Sequence, residues 1–161
     1  DQHLLSRLTH QCLLINTSRG SVIDNQALLA CLDNGQSLRL AIDVWEDEPN
    51  ILWPLCRLAS ISTPHIAGYS YPGKLRGSEQ IVMAVQRFYE LDPAGSSVKS
   101  MFSLGNFQTI QDYQSALQKI YDAGDDHASF RAQLELTDNP AACFDHFRKS
   151  YPQRDEICYD R

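Results

Sequence analysis

The sequence predicts an α/β protein built on an open parallel sheet, and three observations carry that expectation. Three short β-type runs occur in order: Cys12-Leu13-Leu14-Ile15, Leu38-Arg39-Leu40-Ala41-Ile42 and Ala59-Ser60-Ile61-Ser62. A helical segment separates the first two, and a loop with Pro49 and Pro54 separates the second and third. Strand, helix, strand, loop, strand implies parallel pairing with right-handed crossovers. Finally, each run ends in a polar motif, as loops at the ligand edge of such a sheet do.

The elements follow in order. Residues 2–10 read as the tail of an amphipathic helix, with Leu4, Leu5 and Leu8 at helical spacing. Cys12-Leu13-Leu14-Ile15 is continuously apolar, the pattern of a strand covered on both faces. Asp24 is placed to cap a helix with Leu28, Leu29 and Leu32 on one face and Asn34-Gly35 as its stop. From Gly73 to about Glu90 the spacing of Ile81, Val82, Val85 and Phe88 predicts a helix. Asp92-Pro93-Ala94-Gly95-Ser96-Ser97 is rich in breakers and marks a domain boundary. Beyond it, helices are expected at 110–122, 126–134 and 141–150, and a strand at Glu156-Ile157-Cys158-Tyr159.

Composition narrows the function. The chain has 161 residues, 43% of them hydrophobic, which suffices for a core. No stretch is apolar for long enough to span a bilayer. A formal charge of -6 argues against a nucleic-acid or membrane partner, since both need a basic face. The cysteines, Cys12, Cys31, Cys56, Cys143 and Cys158, are odd in number and widely spaced. Structural, reduced thiols in a cytosolic protein are the plain reading, and no metal site is expected. The chain opens on a helical pattern without a signal peptide or initiator methionine, so it is read as the C-terminal piece of a longer protein.

Three motifs carry chemistry. Asn16-Thr17-Ser18-Arg19-Gly20 follows the first strand, Asp43-Val44-Trp45-Glu46-Asp47-Glu48-Pro49 the second, and Thr63-Pro64-His65-Ile66-Ala67-Gly68 the third. Arg19 can grip a carboxylate through two parallel hydrogen bonds. His65 can exchange a proton near neutral pH, and Glu48 can orient and charge it. Each motif alone is weak; an arginine beside a glycine pairs with any surface acid, and an isolated histidine is usually a core residue. Together, after successive parallel strands, they should converge on one crevice. Glu46 and Asp47 read as solvated loop, Asp43 as a ligand-holding residue in preference to a helix cap. Lys74 and Arg76 are either phosphate contacts or solvated charges. His3, His10, His127 and His146 have no such context and receive no role.

These motifs resemble the NAD-dependent D-isomer-specific 2-hydroxyacid dehydrogenases, whose pattern is Asn-x-x-Arg-Gly, Asp-Val-aromatic-x-x-Glu-Pro, then Thr-Pro-His-Ile-Ala-Gly. The continuation Gly68-Tyr69-Ser70-x-x-Gly73-Lys74-x-Arg76-Gly77 and the short interval from Glu48 to His65 resemble one branch acting on a phosphorylated 2-hydroxy acid. Residues 98–161, with Phe144-Asp145-x-x-Arg148-Lys149-x-Tyr151, are similar to that branch's own dimerisation domain.

The resemblance implies the C-terminal part of a Rossmann-like, parallel-sheet NAD-binding domain over residues 1–91. A smaller, incomplete α+β dimerisation domain over 98–161 would follow, in a homodimer. It implies Arg19, Glu48 and His65 as catalytic residues, with Arg19 on the substrate carboxylate and His65 as the acid/base group. Glu48 would favour the protonated form of His65. Thr17, Ser18 and Arg19 would border the nicotinamide ribose, Asp43 would bind the nicotinamide, Gly68 would touch NAD through its backbone, and Tyr69 would contact substrate. The Gly-x-Gly-x-x-Gly pyrophosphate fingerprint is absent from this chain. The 161 residues alone are therefore expected to lack dehydrogenase activity. Two other readings stay open: a sister dehydrogenase for phosphoglycerate or glycerate, and a non-enzymatic co-repressor that reuses the fold.

Overall fold

The computed structural model describes residues 2–92 and 109–154. By packing, the described residues form two compact units: 2–67 with 123–151, and 68–92 and 109–122 with 152–154.

The first unit holds a three-stranded parallel sheet in the order β1-β2-β3, comprising Leu13–Asn16, Arg39–Ile42 and Ile61–Ser62. Register pairs Asn16 with Ile42 and Ile42 with Ser62, so all three strands finish side by side. Helix α1 (Gln2–Leu5) is shorter than the expected segment through residue 10. It gives way to turns at Arg7 and Leu8, whose amides bond the carbonyls of Leu4 and Leu5. Helix α2 (Asn25–Asp33) begins as the sequence suggests, with Asp24 Oδ1 accepting from Ala27 N–H at 2.8 Å. It ends at Asn34, followed by Gly35 with φ of 88°, a left-handed turn that glycine adopts without strain.

Two local expectations need correction. The stretch around Pro54 is not loop throughout, because Trp53–Leu58 forms helix α3 with Pro54 in its first turn, where the missing N–H costs nothing. Strand β1 is not covered on both faces either. Leu14 packs toward the core, while Leu13 and Ile15, whose side chains alternate to the opposite face, are 51% and 59% exposed.

The core of this unit joins Leu28, Leu40, Ile42, Trp45, Leu55 and Cys56 to Phe130, Leu134 and Phe144. The last three belong to helices α6 (Ala123–Leu136) and α7 (Pro140–Lys149). Phe130 meets Phe144 and Phe147 edge to face, with ring centroids 5.9 and 5.6 Å apart. Residues 123–151 thus pack as part of the sheet unit, across the boundary that the breaker-rich linker suggested. An apolar stripe looks the same in sequence whichever neighbour covers it, so local pattern did not reveal this partner.

In the second unit, α4 (Tyr71–Phe88) starts at Ser70, whose hydroxyl accepts from Gly73 N–H, with Pro72 in the first turn. Helix α5 (Ile110–Ile120) is capped by Thr109. Ser70 and Arg154 form an isolated parallel bridge. Most of the boundary segment 92–97 and the expected strand at 156–159 lie outside the described residues.

Candidate active site

The strand ends build the site. Asn16, the last residue of β1, is 3% exposed and winds the first loop around its amide. Its Nδ2 donates to Arg19 O at 3.0 Å, and its Oδ1 accepts from Ser18 N–H and Oγ–H. Thr17, Ser18 and Arg19 are left exposed along the loop, with Arg19 in extended backbone. Gly20 then presses against the second loop so closely that a Cβ there would fall on the Trp45 carbonyl and crowd Glu46 N. Glycine is needed at this position for close approach, and that contact brings Arg19 beside the residues after β2.

The second loop is tied down at several points. Asp43 is 4% exposed and accepts from Thr63 Oγ1–H, Ile66 N–H and Ala67 N–H at 2.7, 2.8 and 3.1 Å. It fastens the third loop to the second. Glu48 Oε1 accepts from Trp45 N–H at 2.8 Å, which fixes the carboxylate from behind. The indole N–H of Trp45 in turn donates to Thr63 O at 3.0 Å. Glu46 is not simply solvated, as the acidic run suggested. Its Oε2 accepts from Asn25 N–H at 2.6 Å and its own N–H donates to Asn25 Oδ1, so it covers an orphan amide at the start of α2. Asp47 is exposed, as read.

The third loop delivers the imidazole. His65 takes φ of 58°, an uncommon conformation for a non-glycine residue, and its N–H donates to Asp43 O at 2.7 Å. The two anchors around it, Asp43 and Thr63, hold that turn. His65 Nδ1 lies 2.8 Å from Glu48 Oε2, with side-chain exposures of 26% and 17%. A carboxylate only accepts, so Nδ1 carries the proton and Nε2 is the nitrogen left for a substrate. Arg19, Glu48 and His65 line a single cleft of about 320 Å³, together with Gly20, Ser21, Trp45, Glu46 and Asp47.

The arrangement can bind an anion at Arg19 and pass a proton through His65 under the control of Glu48. It also fits the nicotinamide end of a dinucleotide: the cleft lies at the carboxyl ends of parallel strands, with the Thr17 and Ser18 side chains exposed on its first loop. Gly68 and Tyr69 belong to the second unit. There Gly68 is exposed, and the Lys74 ammonium sits 3.9 Å from the Tyr69 ring.

One charged neighbour escaped sequence reasoning as a site residue. Arg148, in the last turn of α7, places Nη1 4.0 Å from Glu48 Oε2. Its motif was visible, but nothing local in the sequence tied that helix to the cleft.

Residues 1–67 match the D-isomer specific 2-hydroxyacid dehydrogenase, NAD binding domain. That match indicates NAD as the cofactor. Residues 96–158 match a domain of unknown function (DUF3410). Among curated relatives, the chain is similar to the erythronate-4-phosphate dehydrogenase of Psychromonas ingrahamii, at 37% identity over 98% of this chain and 42% of that protein. The Photorhabdus laumondii protein of the same name is 38% identical over 99% and 45%. That of Aeromonas hydrophila is 40% identical over 90% and 39%. The chain thus spans less than half the length of these relatives.

Proposed function

We propose that this chain is the catalytic C-terminal portion of an NAD-dependent erythronate-4-phosphate dehydrogenase, acting in pyridoxal 5'-phosphate (vitamin B6) biosynthesis. The reaction is oxidation of 4-phospho-D-erythronate to 3-hydroxy-2-oxo-4-phosphooxybutanoate. The observation that carries this reading is the 2.8 Å His65–Glu48 pair in the same cleft as Arg19.

In this reading Arg19 binds the substrate carboxylate and sets C2 before the imidazole. His65 Nε2 takes the hydroxyl proton as the C2 carbonyl forms, and returns it in the reverse direction. Glu48 keeps Nδ1–H engaged, so the imidazolium formed is met by a carboxylate. NAD, when bound, supplies the hydride acceptor. Thr17, Ser18 and Arg19 border its nicotinamide ribose, while Asp43, committed to Thr63 and the 66–67 amides, holds the His65 loop in place. Free thiols at Cys12, Cys31, Cys56 and Cys143 accord with a cytoplasmic setting. A homodimer, with residues 98–161 as its dimerisation domain, accords with apolar side chains left exposed, among them Ile110 and Leu136.

A chimera in which this chain replaces the matching part of the Photorhabdus laumondii protein tests the substrate. We expect NADH formation with 4-phosphoerythronate and little with 3-phosphoglycerate. A preference for 3-phosphoglycerate would move the assignment to a sister dehydrogenase. NAD binding without turnover on either acid would favour a non-enzymatic protein.

A further inference from the structure

The motif Phe144-Asp145-x-x-Arg148-Lys149-x-Tyr151 belongs to the stretch whose family model is a domain of unknown function. Its residues divide by task. Phe144 is fully buried in the core beside Phe130. Lys149 is spent on Asp145 at 2.7 Å, and Tyr151 O–H donates to Asp126 at 2.6 Å. The Phe144 and Tyr151 contacts fasten α7 and the residues after it to α6, the Lys149 pair stays within α7, and Arg148 is left with its charge toward Glu48.

We propose that Arg148 is a positioning residue of the dehydrogenase site: it shares Glu48 Oε2 with His65 and thereby sets the pH at which His65 exchanges its proton. Three features of its surroundings support this. Arg148 Nη1 stands 4.0 Å from the oxygen that His65 Nδ1 meets at 2.8 Å, so one carboxylate oxygen faces both the guanidinium and the imidazole. The Arg148 Nε–H is buried without a hydrogen-bond partner, and separately its Nη1 has Glu48 as its ion-pair partner among the described residues. The other charges near the pair are committed or peripheral. Glu46 is bonded to Asn25, Asp43 to the Thr63 hydroxyl and the 66–67 amides, and Lys149 to Asp145. Arg19 and Asp47 line the cleft from the first and second loops, both exposed to solvent screening.

The physical consequence has a definite sign. A carboxylate serving His65 alone stabilises the imidazolium fully, whereas one shared with a guanidinium stabilises it less, and the guanidinium repels the imidazolium directly. The neutral imidazole is the form that can accept a hydroxyl proton. The segment of unknown function would in this way complete the charge set of the cleft. The catalytic meaning rests on His65 being the acid/base residue; the effect on its titration does not.

The test is an imidazole nitrogen NMR titration of His65 in this 161-residue chain, unchanged and as Arg148→Met, Arg148→Lys and Arg148→Gln. Arg148→Met and Arg148→Gln should raise the His65 midpoint by about half a pH unit, a discounted value for a partly exposed pair. Arg148→Lys should restore most of it, since it returns the charge without the planar fork. A midpoint unmoved in both neutral variants, or moved equally in the lysine variant, overturns the proposal. If Arg148→Met loses the fold, the glutamine and lysine variants carry the comparison, and amide spectra report whether the fold is kept. No step of this experiment measures turnover, so a failed dehydrogenase assignment and a failed role for Arg148 give separate results.

Discussion

Asp43 shows how much of the site depends on one buried carboxylate. It holds a hydroxyl and two amides of the loop that carries His65. Asp43→Asn replaces an acceptor of several bonds by a group that must donate with half its atoms, so a donor is left facing a donor. We expect a loss of about 3 kcal/mol in urea unfolding, the scale of hydrogen bonds to a buried charge, together with a displaced His65 resonance. Gly20→Ala forces a methyl onto the Trp45 backbone and should cost about 3 kcal/mol in the same measurement. Cys56 is fully buried, and burial pushes its thiol up to about 11. It should resist alkylation in the folded protein and react once urea unfolds the chain. At this scale the sequence marked Arg19, Glu48 and His65 as candidates, because few side chains offer that chemistry, and the fold brings the three to one cleft. Glu46 read as a solvated charge, since its partner Asn25 is remote in sequence and only the fold supplies it.

Among the elements, α6 is held to β3 by a contact the sequence left without a role. Ser62 N–H donates to His127 Nδ1 at 3.0 Å, and the Ser62 hydroxyl lies equally close. An accepting Nδ1 requires neutral imidazole. Burial, with the Arg131 charge beside it, lowers His127 below the ordinary value of 6.5. A depressed folded value means that the stabilisation is fully present above the unfolded value and is lost as pH falls. Unfolding free energy should therefore decline as pH drops below about 6.5, while His127→Ala is less stable at about pH 8 and shows less of that decline. A mutant retaining the full acid dependence would contradict this role. Helices and strands themselves were largely legible, because caps at Asp24 and the repeat of apolar residues are local signals. Helix α3 was missed because Pro54 reads as a breaker when its position in the first turn is unknown. Strand β1 misread because an apolar run records what can be buried and not which neighbours are present.

At the scale of the whole molecule, the order of the motifs along the chain was enough to place three loops on one sheet edge, because parallel strands aligned in register must end together. The docking of residues 123–151 onto the sheet unit was not legible, since it depends on long-range packing of Phe130, Leu134 and Phe144. The chain contains no Gly-x-Gly-x-x-Gly, so we expect no measurable NAD reduction by the 161 residues alone, and vigorous turnover by them would refute that expectation. The most direct measurement of the central claim is NADH formation by the Photorhabdus chimera with His65 replaced by Ala. The account predicts a kcat about 10²- to 10⁴-fold lower with NAD binding retained; turnover at the unsubstituted rate would contradict it.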